Sequence, residues 1–255
     1  MCGLLRLAVN QEVVLFLRWS VALAVALVAA CTTVSELPAG AACGRSGFAY
    51  AGLQAAENGH GISAVVTSLG LPAVENGHVA GWVGVGAPGQ GPGGSDEWLQ
   101  VGLSSVPGTG NRLYYEVMRP GAHARYAEVK ADVANDRPLR VAVLETAAKW
   151  NAWRVWVNGR AVTPPIDLPG SHGALTPMAM GESWDGGRPS CNRYSYRFER
   201  VSVAQAPGGS WLAIRDASVL QDPGYRVEKR AVGSFIALAT RPLPPGSWAL
   251  KQSPG

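Results

Sequence analysis

Along most of this chain apolar residues recur at every second position, in short runs separated by turn residues. Successive side chains of a strand point to opposite faces, so such alternation predicts half-buried β-strands. In 96–104 (DEWLQVGLS), Leu99, Val101 and Leu103 share one face, and Trp98, Gln100 and Gly102 share the other. In 177–184 (PMAMGESW), Met178, Met180, Glu182 and Trp184 lie opposite Ala179, Gly181 and Ser183. In 79–85, Trp82 and Gly84 oppose Val83 and Val85. Comparable runs predict strands at 61–68, 112–118, 125–131, 138–146, 152–157, 193–204, 211–217 and 233–240. The loops between them carry turn chemistry, including GAPGQGPGGS, TPPIDLPG and the Asn158-Gly159 pair. Outside the N-terminus no segment holds a 3.6-residue apolar stripe over ten residues. The fold class this predicts is all-β, a sandwich or closed barrel.

Composition adds three constraints. Gly and Pro supply 32 and 18 of the 255 residues, without a collagen period, in keeping with many short elements. The net charge is +4 with no Lys/Arg cluster, so nucleic acid is not an expected partner. A chain of this length buries a sizeable core without disulfide staples.

The N-terminus reads as an export signal. Residues 19–30 (WSVALAVALVAA) form an apolar run directly after Arg18, the length of a signal-peptide h-region and short for a membrane span. Val28-Ala29-Ala30-Cys31 then resembles a bacterial lipobox, in which Cys31 would carry the lipid; plain cleavage near Ala30 and an uncleaved anchor are the alternatives. The expected organisation is a signal helix over 1–30, a tether over 31–46, a β-domain over 47–240 and a tail over 241–255. The protein is then extracytoplasmic, either a cell-surface lipoprotein or secreted. Cys43 and Cys191 remain as a pair in an oxidising compartment, where a disulfide is the default.

Candidate chemistry is sparse. There is no G-x-S-x-G elbow, H-E-x-x-H, EF-hand or P-loop. Two echoing segments, AAENGHG at 55–61 and AVENGHV at 73–79, read as loops, with His60 and His78 as solvated loop residues rather than metal ligands. No metal or cofactor is expected. What stands out is a set of strands with one aliphatic face and another bearing Trp, Gly and a single carboxamide or carboxylate. Those are the materials of a binding cleft on a sheet, although Gln100 and Glu182 on a merely solvated face would give the same pattern.

The order GISAVVTSLGLP, AGWVGVG, EWLQVGL, LYYEV, MGESW, YRFERVSV resembles the glutamic peptidases (eqolisins) across about residues 47–240. The resemblance implies a concanavalin-like antiparallel two-sheet β-sandwich and acid-acting endopeptidase chemistry on a peptide or protein substrate. Residue by residue, it makes Gln100 and Glu182 the catalytic pair. Trp82 falls on a cleft tryptophan and Glu116 on the glutamate of a Tyr-Glu motif, with Trp98 and Trp184 as neighbouring cleft residues. Glu199 in RFERV is an alternative glutamate. In such a pair the glutamate deprotonates a water that attacks the scissile carbonyl, and the carboxamide donates to the developing oxyanion, so neither covalent intermediate nor metal is required. One position departs from the family pattern: Gly86 stands where an acidic residue usually follows the W-[VI]-G-I segment. A non-catalytic relative that binds peptide or glycan in the same cleft is the competing expectation.

Overall fold

The computed structural model describes residues 47–188 and 190–239. The expected signal, the expected tether with Cys31 and Cys43, and the expected tail lie outside the described residues. Among the described residues sixteen strands follow in chain order: β1 Phe48–Ala55, β2 Gly61–Ser68, β3 His78–Ala87, β4 Glu97–Ser105, β5 Asn111–Met118, β6 Arg125–Val133, β7 Leu139–Glu145 and β8 Ala152–Val157. They continue with β9 Arg160–Ala161, β10 Ile166–Asp167, β11 Pro177–Trp184, β12 Ser195–Ala206, β13 Gly209–Ala213, β14 Ala217–Gln221, β15 Tyr225–Ala231 and β16 Ser234–Ala239. The one helical turn among the described residues is a 3-10 turn at Pro92–Gly94.

The strands pair antiparallel into two sheets. One has seven strands in the order β14-β1-β11-β3-β4-β5-β6; the other has nine, along β10-β8-β7-β2-β12-β16-β15, with β13 on β12 and β9 on β8. This is the all-β sandwich, and the alternation explains it. Val79, Val83, Val85, Leu99, Val101 and Leu103 project from the seven-stranded sheet into one core with Ile62, Val66, Val143, Trp153, Phe198 and Phe235 of the other. Phe198 and Phe235 are register partners on β12 and β16, and their rings stack at 4.7 Å. Burying two such rings contributes several kcal/mol, of which truncating either to Ala forfeits roughly 3–5 kcal/mol.

Two features fix local geometry. Between β8 and β9, Asn158 and Gly159 both take positive φ (49° and 78°), the two-residue hairpin turn that an Asn-Gly pair favours. Gly81 and Gly181 face each other across β3 and β11, and a Cβ on either would sit 2.4–2.5 Å from the rings of Tyr196 and Tyr194. The missing side chains are what admit those two tyrosines into the core.

Glu97 breaks the apolar rule. Its parity on β4 is that of Leu99 and Val101, so it points between the sheets, is fully buried, and neither carboxyl oxygen has a hydrogen-bond partner among the described residues. Burial, with a smaller push from Asp167 and an opposing pull from Arg119, raises its pKa from 4.5 to about 7. A buried carboxyl without a partner favours its neutral form.

Candidate functional site

The outer face of the seven-stranded sheet carries the other parity of each strand. Register aligns these side chains in rows across the sheet. Met178, Gly84, Gln100 and Glu116 form one row; Met180, Trp82, Gly102 and Tyr114 form the next. A third holds Tyr50, Glu182, Ala80 and Ser104. Ala80, Trp82, Tyr114, Met178 and Met180 make a second apolar cluster, separate from the main core. Above it lies a cleft of about 380 Å³ lined by Trp82, Trp98, Gln100, Glu116 and Glu182 among others. An adjoining hollow of about 220 Å³ over β5 and β6 shares His78, Gln100 and Glu116 with it.

Five of the six candidate cleft residues therefore meet in one cavity: Gln100, Glu182, Trp82, Trp98 and Glu116. Trp184 does not line it. That ring stands at the end of β11, packed against Phe48 at 6.0 Å and His78 at 5.5 Å. Glu199 lies on β12 of the opposite sheet, paired with Arg197 at 3.2 Å.

Each of those five side chains in the cavity is held by a hydrogen bond. The Trp82 indole N–H donates to Glu182 Oε2 at 2.8 Å, and His78 Nε2 meets Oε1 at 2.8 Å. The Trp98 indole N–H donates to Glu116 Oε1 at 3.0 Å. Gln100 Nε2 donates to the Tyr114 hydroxyl at 3.1 Å. These bonds leave capacity. Each carboxylate oxygen has two lone pairs and the carboxamide nitrogen two N–H groups, so Glu182 can still accept from a water and Gln100 can still donate once. Burial raises the Glu116 pKa, as does the Glu182 charge, while the Trp98 bond and His78 oppose the rise. Burial likewise pushes the Tyr114 and Tyr50 hydroxyls up, so both remain neutral hydrogen-bonding groups.

Gly86 lines the same cleft at the end of β3. Its φ is +82°, and a Cβ there would lie 2.2 Å from the Glu97 carbonyl oxygen. This backbone excludes an acidic side chain at 86, so the departure from the glutamic-peptidase pattern is built into the strand end.

His78 is not in a loop, and His60, though in one, is largely covered rather than solvated. His78 opens β3 with the parity of Ala80 and Trp82, and this places its ring on Glu182. Reading β3 one residue earlier would have put His78 on the face of Trp82, though not against Glu182. His60 precedes β2 and bonds Glu145 Oε2 at 2.7 Å, while His172 reaches Oε1 of the same carboxylate at 3.0 Å. These three are the group of His and carboxylate side chains among the described residues arranged to hold a metal. No spacing in the sequence signals it, because the three residues come from distant segments.

No protein-family model matches the chain, and no curated protein does. Solved structures do match. A scytalido-glutamic peptidase with a peptide-based transition-state analogue aligns at a TM-score of 0.52 and 13% identity, over 76% of this chain and 98% of that one. A second scytalido-glutamic peptidase structure, with a transition-state analogue inhibitor, aligns at 0.54 and 12% identity, over 77% and 98%. At such identities the likeness establishes a distant relationship of fold, and the fold alone.

Proposed function

We propose that this protein is a glutamic-peptidase-like hydrolase that cleaves peptide bonds in the cleft on the outer face of its seven-stranded sheet. The observation that carries the reading is the convergence of Gln100 and Glu182 on one cavity with Trp82, Trp98 and Glu116. Glu182 acts as general base on a water and returns the proton to the leaving amine. The free N–H of Gln100 donates to the oxyanion, and a donor so placed contributes about 3–4 kcal/mol to transition-state stabilisation. Trp82 and His78 hold the carboxylate in one orientation, which lowers the reorganisation left to the reaction. Met178, Met180 and the indoles offer an apolar bed for substrate side chains.

A second reading has its own support. Both Glu182 oxygens and the Gln100 amide are already engaged by protein groups, as they would be in a cleft that binds peptide or glycan without turnover. Acid-pH digestion of a denatured protein substrate separates the two. The peptidase cleaves it, Glu182→Gln abolishes cleavage, and Gln100→Ala slows it about a hundredfold or more. Absence of cleavage in the wild type, with saturable binding of peptide or oligosaccharide that Trp82→Ala weakens, establishes the binding protein instead.

A further inference from the structure

We propose that His60, Glu145 and His172 form a zinc-binding site at one end of the nine-stranded sheet, with three protein ligands and a fourth position for water. The site lies on the other sheet from the cleft and is independent of the hydrolase reading.

The donor set is the first argument. Two imidazole nitrogens and one carboxylate suit Zn²⁺, and three such ligands with an open position recur in zinc sites. His60 Nδ1 and His172 Nδ1 both face the Glu145 carboxylate, at 2.7 and 3.0 Å, and one ligand atom from each residue falls within 4.8 Å of the others. A tetrahedral ion with bonds of about 2.1 Å places its ligand atoms about 3.4 Å apart, so modest side-chain rotation seats it. On binding, each ring gives up its Nδ1 proton and carries one on Nε2 instead, remaining neutral as a ligand must.

The second argument is that the carboxylate is prepared. The Glu145 side chain is fully buried. His60 Nδ1, His172 Nδ1 and the Asn151 backbone N–H all bond its two oxygens, at 2.7, 3.0 and 2.7 Å. A buried anion facing two imidazoles is a standing demand for positive charge, which a divalent ion meets more completely than shared protons.

The third argument is the frame. Asn151, in the left-handed region at φ +60°, donates its N–H to Glu145 Oε1 at 2.7 Å and accepts the His172 N–H on Oδ1 at 2.8 Å. The Glu145 N–H bonds the His60 carbonyl at 2.8 Å, tying the start of β2 to the end of β7. The Trp150 ring lies flat on His172 at 4.4 Å. All three ligands are thus set before an ion arrives, as an outer shell of hydrogen bonds does in metal sites. The His60 and His172 side chains are 18% and 33% exposed, which leaves the ion a way in.

The test is calorimetric titration of the metal-stripped full chain with ZnCl₂ at neutral pH, paired with thermal unfolding. One Zn²⁺ per chain should bind with a Kd of about 10 µM or tighter. At a hundredfold excess over Kd the Tm should rise by about 5–10 °C. His60→Ala, His172→Ala and His172→Gln should each weaken binding at least tenfold, whereas His123→Ala should not; circular dichroism shows that each variant is folded. His172 lies in a loop and is partly exposed, so its two variants keep the test open should His60→Ala fail to fold. No saturable binding tighter than about 10 µM overturns the proposal. So does binding left unchanged in both His172 variants, which would place the ion elsewhere.

Discussion

Replacing Glu97 by Gln tests the buried carboxyl directly. Up to about pH 7 the folded protein keeps this group protonated, whereas the unfolded chain ionises it above 4.5. Between those values the folded state holds the extra proton, so stability falls as pH rises. The stabilisation is complete below 4.5 and gone above about 7. The gap of about 2.5 pH units, at 1.36 kcal/mol per unit, amounts to about 3 kcal/mol. Gln has nearly the same shape and never ionises, so the variant lacks this term while sharing every other titrating group. The assay is urea unfolding of both proteins at pH 4.5 and pH 8. The stability of the wild type relative to Glu97→Gln should drop by about 3 kcal/mol between the two, equivalent to roughly 5–10 °C in Tm. A difference that stays constant with pH, or grows in favour of the wild type at pH 8, refutes the reasoning.

Three further outcomes follow from other parts of the chain. Gly84→Ala puts a Cβ 2.8 Å from Gln100 Cβ and from the Leu99 carbonyl oxygen, so it should displace Gln100, cost about 1–3 kcal/mol in urea unfolding and remove cleft activity. Cys31→Ser should release the protein from the membrane fraction or block its processing; unchanged partitioning rejects lipidation at that residue. Peptide mapping without reductant should recover Cys43 joined to Cys191, and recovery of both as thiols from protein folded under oxidising conditions rejects the pairing.

Much of the sandwich was legible because a strand buried on one face writes period-two alternation into the sequence. β2, β8 and β11 fall on the expected residues, and β3, β4, β5, β6, β7, β12 and β16 within two residues at either end. β1 escaped notice because FAYAGLQA carries mostly alanine on its core side and interrupts its other side with Gly52, which lies under 3 Å, by its absent Cβ, from the β11 backbone. β15 (YRVEKRA) was hidden by its charges, which an outermost strand can carry toward solvent. The run at 211–217 divides into β13 and β14, which belong to different sheets. Parity also placed Gln100, Trp98 and Glu182 on faces of the right sign. It could not show that these faces belong to adjacent strands of one sheet, which depends on long-range register. For the same reason the contact between His78 and Glu182, and the meeting of His60, Glu145 and His172, were out of reach.

The rows of the cleft have a consequence for how such a molecule can change. On β1, β3, β4, β5 and β11 the residues facing the cavity are even-numbered, Tyr50, Trp82, Gln100, Glu116 and Glu182 among them, apart from Ala87, which follows the left-handed Gly86 at the end of β3. The odd-numbered ones, such as Ala51, Val83, Val101, Val117 and Ala179, belong to the main core. Specificity and stability are therefore inherited on separate teeth of the same comb. A lineage, or a mutagenesis library, can rewrite the even positions for a new ligand while selection holds the odd ones. Single-residue insertions and deletions within these strands are the one kind of change that strikes both at once.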